Sequence, residues 1–158
     1  AINHTIMKTI ARNILFIIVA IAHFDLLSEN RMSIGTYTHF KSKPEHNNKP
    51  IIINYDYFYS NNEFYGMALF NNSFGQFSQY IYKGHKYDSR LNGIHYELSY
   101  GILHGYKGRY QDRIPINTEE GFGIGLIPSI YFTYKDKQSF ALSLMGSAGL
   151  IFSYSRNF

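Results

Sequence analysis

Two residues of this 158-residue chain have side chains of the types that acyl transfer uses. His39 lies in Thr-Tyr-Thr-His-Phe at residues 36–40, and Ser73 lies in Phe-Asn-Asn-Ser-Phe-Gly-Gln at residues 70–76. A neutral histidine can take the proton of a hydroxyl group, and the activated oxygen then attacks an acyl carbon. Serine and histidine are also common as solvated loop residues, so the hypothesis requires a fold that brings these two together.

From Met32 onward the chain divides into eight short runs of alternating apolar and polar residues, with turn residues between them. The predicted strands cover residues 32–42, 51–60, 63–71, 77–88, 93–106, 122–135, 138–146 and 149–158. Runs of this length suit a tilted membrane crossing, and an even number of them predicts an all-β, antiparallel, up-and-down transmembrane barrel. In that topology His39 and Ser73 lie on the same, extracellular side of the membrane.

The last predicted strand favours a barrel that faces lipid. Leu150, Phe152, Tyr154 and Phe158 alternate with mostly polar residues up to the end of the given sequence. Outer-membrane barrels close with such a strand, which we expect the barrel-assembly machinery to recognise. A soluble lipocalin-like barrel has the same alternation with its apolar residues inside, and it stays the alternative fold.

The first residues predict export. A basic stretch at residues 7–13 precedes an apolar run at residues 14–22, which ends in Ala-Ile-Ala. We expect residues 1–22 to be a cleaved signal peptide whose true initiator is Met7, and residues 23–158 to form a single barrel domain. The alternative is an amphipathic helix that stays attached. After cleavage, residues 23–31 would form a short interfacial helix.

Composition narrows the possible partners. The chain has 15 Tyr and 13 Phe but no Trp or Cys, and its mean hydropathy of −0.23 is low for a helical membrane protein. Without cysteine there is no disulfide or thiolate site. The net charge of +4 is scattered through turns and loops, which predicts a basic rim near anionic lipids and no nucleic-acid partner. We expect a monomer without metal or cofactor.

Short motifs resemble the outer-membrane lipid A palmitoyltransferase family. Residues 38–41, Thr-His-Phe-Lys, resemble the family's W-H-A-R-F, and residues 70–77, F-N-N-S-F-G-Q-F, resemble its F-K-D-S-W-N-K-W. Residues 62–68, N-E-F-Y-G-M-A, are similar to its N-W-H-G-L-Y-A. By this resemblance His39 and Ser73 match catalytic positions. The family's catalytic Asp falls on Asn72, and we expect Asn72 to orient His39.

The resemblance also implies a route and a pocket for lipid. Pro50 and Pro128 resemble family prolines that interrupt strand pairing and let lipid enter the barrel from the side, as proline lacks the N–H for a ladder. Gly84 resembles a glycine on the floor of the acyl-chain pocket. The alternatives are that the prolines mark strand ends and the glycine marks a bulge.

Two functions follow from different premises. The resemblance implies an acyltransferase in the outer membrane of a Gram-negative bacterium, which moves a palmitoyl-like chain from a phospholipid to lipid A or a related acceptor. Asn72 favours the alternative, a non-enzymatic small barrel with a surface-binding, exclusion or structural role, because an amide cannot stabilise an imidazolium by charge. A third possibility, a lipid A deacylase barrel, is disfavoured. Such deacylases usually carry a His-x-Ser motif near the C-terminus, and residues 142–158 contain none.

Overall fold

The chain folds into a closed antiparallel barrel of eight strands. The computed structural model describes residues 29–47 and 50–158. The strands are β1 (Asn30–His39), β2 (Ile52–Phe58), β3 (Glu63–Asn71), β4 (Phe77–Asp88), β5 (Ile94–His104), β6 (Phe122–Lys135), β7 (Gln138–Leu144) and β8 (Gly149–Asn157). Each strand pairs with its neighbours in sequence, and β1 pairs with β8 to close the sheet. The predicted up-and-down barrel is confirmed.

Alternation along the strands places apolar side chains on the outside. In β1, Arg31 and Ser33 are buried in the interior, while Met32 and Ile34 between them are exposed. Other strands expose large apolar residues in the same way, for example Ile81, Ile124, Leu126, Phe152 and Tyr154. A lipocalin-like barrel has the opposite distribution, so this outer surface is that of a barrel facing lipid.

The strand bounds agree fully with the sequence prediction for three of the eight strands. Strands β3, β4 and β6 have the predicted bounds, whereas β1 begins earlier and ends earlier than predicted. The interfacial helix predicted for residues 23–31 is wrong at its last three positions, because Glu29 lies outside any helix and Asn30 and Arg31 pair with β2 as part of β1. Its other residues up to 28, and the signal peptide predicted for residues 1–22, lie outside the described residues. In the described ranges no helix has the length and hydropathy of a membrane-spanning segment.

Two strand ladders stop short at the same end of the barrel. The β1–β2 ladder ends at Gly35 and Ile52, so β1 continues to His39 without a β2 partner. The β6–β7 ladder begins only at Ser129 and Ser143, so β6 has no β7 partner over residues 122–128. The end of the barrel with both gaps carries the β3–β4 loop and is called the mouth.

Candidate functional site: a histidine–serine pair at the mouth

The fold brings His39 and Ser73 into contact. His39 is the last residue of β1, and Ser73 lies in the loop of residues 72–76 that joins β3 to β4. The distance between His39 Nε2 and Ser73 Oγ is 2.8 Å. In the tautomer with its proton on Nδ1, the ring nitrogen accepts a hydrogen bond from the serine hydroxyl. This is the arrangement of a general base and a nucleophile.

Asn72 positions the loop rather than the histidine. Its side chain is fully buried, and its carbonyl oxygen accepts hydrogen bonds from the backbone N–H groups of Phe74 (2.9 Å) and Gln76 (3.1 Å). Its amide nitrogen lies 3.1 Å from Ser78 Oγ and 3.3 Å from the carbonyl oxygen of Gly105. These contacts form a compact Asx-type turn that carries Ser73 at its tip.

The turn itself depends on a glycine. Gly75 has φ of 76°, in the left-handed region that side chains disfavour, and its N–H donates to the carbonyl of Asn72 at 2.9 Å. The N–H of Asn47 from the β1–β2 loop donates to the carbonyl of Ser73 at 2.6 Å. Ser73 is therefore fixed from two loops.

Aromatic rings surround the pair. The His46 ring lies on the His39 ring with centroids 3.9 Å apart, and the Tyr37 ring meets His39 edge-on at 5.5 Å. Tyr37 donates its hydroxyl proton to the carbonyl of Asn71 at 2.8 Å, next to the turn. These contacts restrict the rotation of the His39 ring. Among the described residues no carboxylate is hydrogen-bonded to His39.

A second tyrosine approaches Ser73 from the β5–β6 loop. Burial raises the pKa of Tyr106 to about 12, and hydrogen bonding to Ser73 acts in the opposite direction. Tyr106 is therefore protonated at neutral pH, and its hydroxyl is a neutral donor beside the serine.

The β5–β6 loop also covers the mouth. It contains a 3₁₀ helix at Gly108–Arg113, and the Tyr110 ring stacks on Phe74 with centroids 3.9 Å apart. Farther along, Ile114 is buried, and the N–H of Ile124 in β6 donates to the carbonyl of Pro115 at 3.1 Å. The loop thus covers the part of the free β6 edge nearest the mouth.

A cavity of about 1050 Å³ extends from the His39–Ser73 pair into the barrel. Below the pair its wall is largely apolar, with Ile52, Phe70 and Leu103 among the lining residues. The cavity also reaches Ile124 and Leu126, whose side chains are on the outside of β6. This part of the cavity wall is the stretch of β6 that has no β7 partner.

The two predicted prolines lie at the two ladder gaps. Pro50 precedes β2 beside the free part of β1, and its carbonyl accepts a hydrogen bond from Thr36 Oγ1 at 2.7 Å. Pro128 pairs with Leu98 of β5 and is the last β6 residue before the β7 ladder begins. Both positions combine a missing N–H with a missing strand partner.

Gly84 lies behind the cavity wall. A Cβ atom at this position would overlap the aromatic ring of Phe64, so the ring occupies the space above the glycine. Phe64 is 1% exposed and lines the cavity, whereas Gly84 is not among the lining residues. The pocket surface at this level is consequently formed by Phe64.

The inner end of the cavity is a buried ionic cluster that the sequence reasoning missed. Arg31 donates from Nε to Asp56 at 2.9 Å and from both terminal nitrogens to Glu97 at 2.7 Å. Tyr82 donates to the second oxygen of Asp56 at 2.6 Å, and His95 Nε2 lies 3.0 Å from a carboxylate oxygen of Glu97. We call Arg31, Asp56 and Glu97 the floor cluster.

The floor cluster could have been found from the alternation. Arg31 lies on the inward face of β1, as Asp56 and Glu97 lie on the inward faces of β2 and β5. Buried charges need partners of opposite sign, so these inward charges predict one another.

Positive charge lines the mouth. Lys41, Lys43 and Arg113 line the cavity near the His39–Ser73 pair, and the acidic lining residues, Asp56 and Glu97, belong to the floor cluster. The described part of the chain contains no group of three or more His, Cys, Asp or Glu side chains placed to hold a metal ion. The charges at the mouth fit anionic headgroups.

Comparison with known proteins identifies the fold. No protein-family model matches the chain, and no curated protein matches it. A solved structure from the de novo design of transmembrane β-barrels is similar, with a TM-score of 0.55 over 83% of this chain and 94% of the designed chain. The sequence identity is 9%, so the similarity concerns the fold alone. The chain is a small transmembrane-type β-barrel.

Proposed function

We propose that this barrel is an outer-membrane acyltransferase that moves a fatty acyl chain from a phospholipid to lipid A or a related acceptor. The contact of 2.8 Å between His39 Nε2 and Ser73 Oγ at the mouth of a deep cavity carries the proposal. The apolar outer surface supports a location in the outer membrane of a Gram-negative bacterium.

The pair supplies a general base and a nucleophile. His39 Nε2 accepts the Ser73 proton while Oγ attacks the ester carbonyl of the donor, and the resulting imidazolium returns the proton to the leaving lysolipid oxygen. The acceptor hydroxyl then attacks the acylated Ser73 by the reverse steps. Tyr106 beside Ser73 would supply a neutral O–H donor to the carbonyl oxygen as that oxygen gains charge.

The cavity and the β6–β7 gap supply a place and a route for the chain. The opening at Leu126 connects the outer apolar surface with the interior, so a lipid chain can enter sideways near Pro128. Lys41, Lys43 and Arg113 would then face the phosphates of donor and acceptor. The reaction needs no cofactor.

The competing proposal is a non-enzymatic barrel, and one observation favours it. His39 lacks a carboxylate partner among the described residues, because the position expected to hold one is Asn72, which is bonded within its turn. A base without such a partner is weaker, since nothing stabilises the imidazolium by charge.

Purified variants distinguish the two proposals. The barrel is refolded in mixed micelles with a phospholipid carrying a labelled acyl chain and with lipid A, and labelled lipid A is quantified by mass spectrometry. We expect transfer by the wild type, and loss in His39→Ala and Ser73→Ala. His85→Ala is the matched control, because His85 lies on β4 away from the cavity lining. A folded wild type without transfer would leave the non-enzymatic proposal.

A further inference from the structure

The inner half of the cavity differs chemically from its outer half. Toward the mouth the inward residues are apolar, and they include Ile52, Ile127, Met145 and Ile151. Two residues farther in along those same strands, the inward side chains are polar. We call the following set of cavity-lining residues the polar ring: Asn54, Tyr82, Ser99, Ser129, Ser143 and Ser153.

The strand pairing places members of the polar ring on neighbouring strands close together. Ser129 pairs with Ser143, and Ser153 lies one inward position deeper on β8 than Ile151, the residue that pairs with Ser143. On β1 the corresponding residue is Ser33, whose hydroxyl lies 2.9 Å from that of Ser155. Six residues separate Ser33 from His39, so the ring lies roughly 14 Å below the His39–Ser73 pair for strands tilted about 45°.

Hydrogen-bonding capacity in the ring is left for a ligand. Asn54 donates a hydrogen bond of 3.3 Å to the Tyr82 hydroxyl, and over residues 29–47 and 50–158 no contact satisfies its carbonyl oxygen. Within those same residues the Ser153 hydroxyl makes no side-chain hydrogen bond. By contrast, Ser129 and Ser143 bond each other at 2.6 Å. An alkyl chain pressed against Asn54 and Ser153 would leave their polar atoms unpaired, which is costly.

We propose that the polar ring is a subsite for the hydroxyl group at the far end of a medium-length aliphatic chain. The chain itself occupies the apolar outer half, and its terminal hydroxyl accepts from the Asn54 amide and donates to the Asn54 carbonyl oxygen or Ser153. A longer unsubstituted chain cannot pass the ring without burying these groups, and beneath it the floor cluster offers only charge. The identification of the ligand as an acyl chain rests on the proposed function. A binding assay tests the subsite without requiring catalysis.

The test compares two fatty acids that differ by one hydroxyl. The full barrel is reconstituted in phospholipid nanodiscs, and dodecanoic acid or ω-hydroxydodecanoic acid displaces fluorescent cis-parinaric acid, with protein-free nanodiscs as the blank. We expect the hydroxylated acid to bind about fivefold more tightly, the effect of about one net hydrogen bond.

Variants connect that preference with the ring. Asn54→Leu keeps the side-chain volume and removes the amide, so the preference should fall to about one, and Ser153→Ala should reduce it partially. Thr38→Val, on the outer face of β1, is the control that should keep the preference. If Asn54→Leu does not fold, Ser153→Ala decides alone.

The outcomes separate this inference from the proposed transferase. Equal binding of both acids by the wild type, tighter binding of dodecanoic acid, or displacement by neither acid would overturn the polar subsite. A fivefold preference without any acyl transfer would leave the subsite in place and remove the transferase. Transfer of unsubstituted chains by a protein without the preference would remove the subsite alone.

Discussion

The substitution Asn72→Asp restores the residue type that the resemblance to the palmitoyltransferase family implies at this catalytic position. The structure predicts that it will destabilise the protein and slow acyl transfer. The carboxylate keeps the two acceptor contacts with the N–H groups of Phe74 and Gln76. It loses the amide donor that faces the carbonyl of Gly105 at 3.3 Å, and it sets a charged oxygen against that carbonyl. The Ser78 hydroxyl can turn to donate to the carboxylate, but it then gives up its hydrogen bond of 3.3 Å to the carbonyl of Gln76.

The magnitude follows from one buried acceptor left unpaired. Such a group costs about 1–3 kcal/mol, and the uncompensated charge in a fully buried position adds to it. We therefore expect Asn72→Asp to lower the free energy of unfolding by about 2–3 kcal/mol. We also expect it to reduce acyl transfer, because the displaced turn carries Ser73.

The assay is urea unfolding in phospholipid vesicles, followed by circular dichroism and gel mobility, together with the transfer measurement. Asn71→Asp is the matched control: it places the same charge on the neighbouring exposed residue, and its effect should stay within about 0.5 kcal/mol. A stable Asn72→Asp variant with a faster transfer rate would refute the reasoning, since it would show that residue 72 acts on His39 as a weakened carboxylate.

Three further substitutions test other parts of the account. Gly84→Met should push the Phe64 ring into the cavity, so mass spectrometry should show shorter transferred chains. The overpacking should also lower the free energy of unfolding in urea by about 1–3 kcal/mol. An active variant that transfers chains of unchanged length would contradict this prediction. Arg31→Met should cost about 3–5 kcal/mol because it removes the guanidinium that pairs with two buried carboxylates. Lys83→Met removes a solvent-exposed ion pair and should leave the free energy of unfolding nearly unchanged; equal costs for the two variants would contradict the floor cluster. Tyr106→Phe should slow transfer about tenfold without changing urea unfolding, and an unchanged rate would exclude its hydroxyl from the site.

The barrel could be predicted from the sequence because the signals of strands and turns lie within short segments of the chain. Period-two alternation and turn residues are properties of short segments, and they gave the bounds of β3, β4 and β6. The end of β1 at His39 was missed because the chain beyond it still alternates, and the strand ends only where its pairing with β8 ends, at Gly149. Strand ends of that kind depend on pairing, which a single segment does not show.

The sequence indicated which residues belong to the candidate site but indicated less about how their side chains are arranged. A contact between His39 and Ser73 required only that both lie at the same end of the barrel. The position of Asn72 depends on a residue 33 places away, Gly105, and the space above Gly84 depends on Phe64 from the neighbouring strand. Such contacts arise from the closed sheet, so residue types and spacing did not indicate them.

The proposed acyl transfer is tested most directly by the mass of lipid A from Gram-negative cells that lack such an activity of their own. Lipid A is compared between cells with an empty vector, cells producing the wild type, and cells producing Ser73→Ala at equal levels in the outer membrane. The account predicts an added mass of one fatty acyl chain in the wild-type sample and in neither of the others. Lipid A of identical mass in all three, with the wild-type barrel folded in the outer membrane, would contradict it.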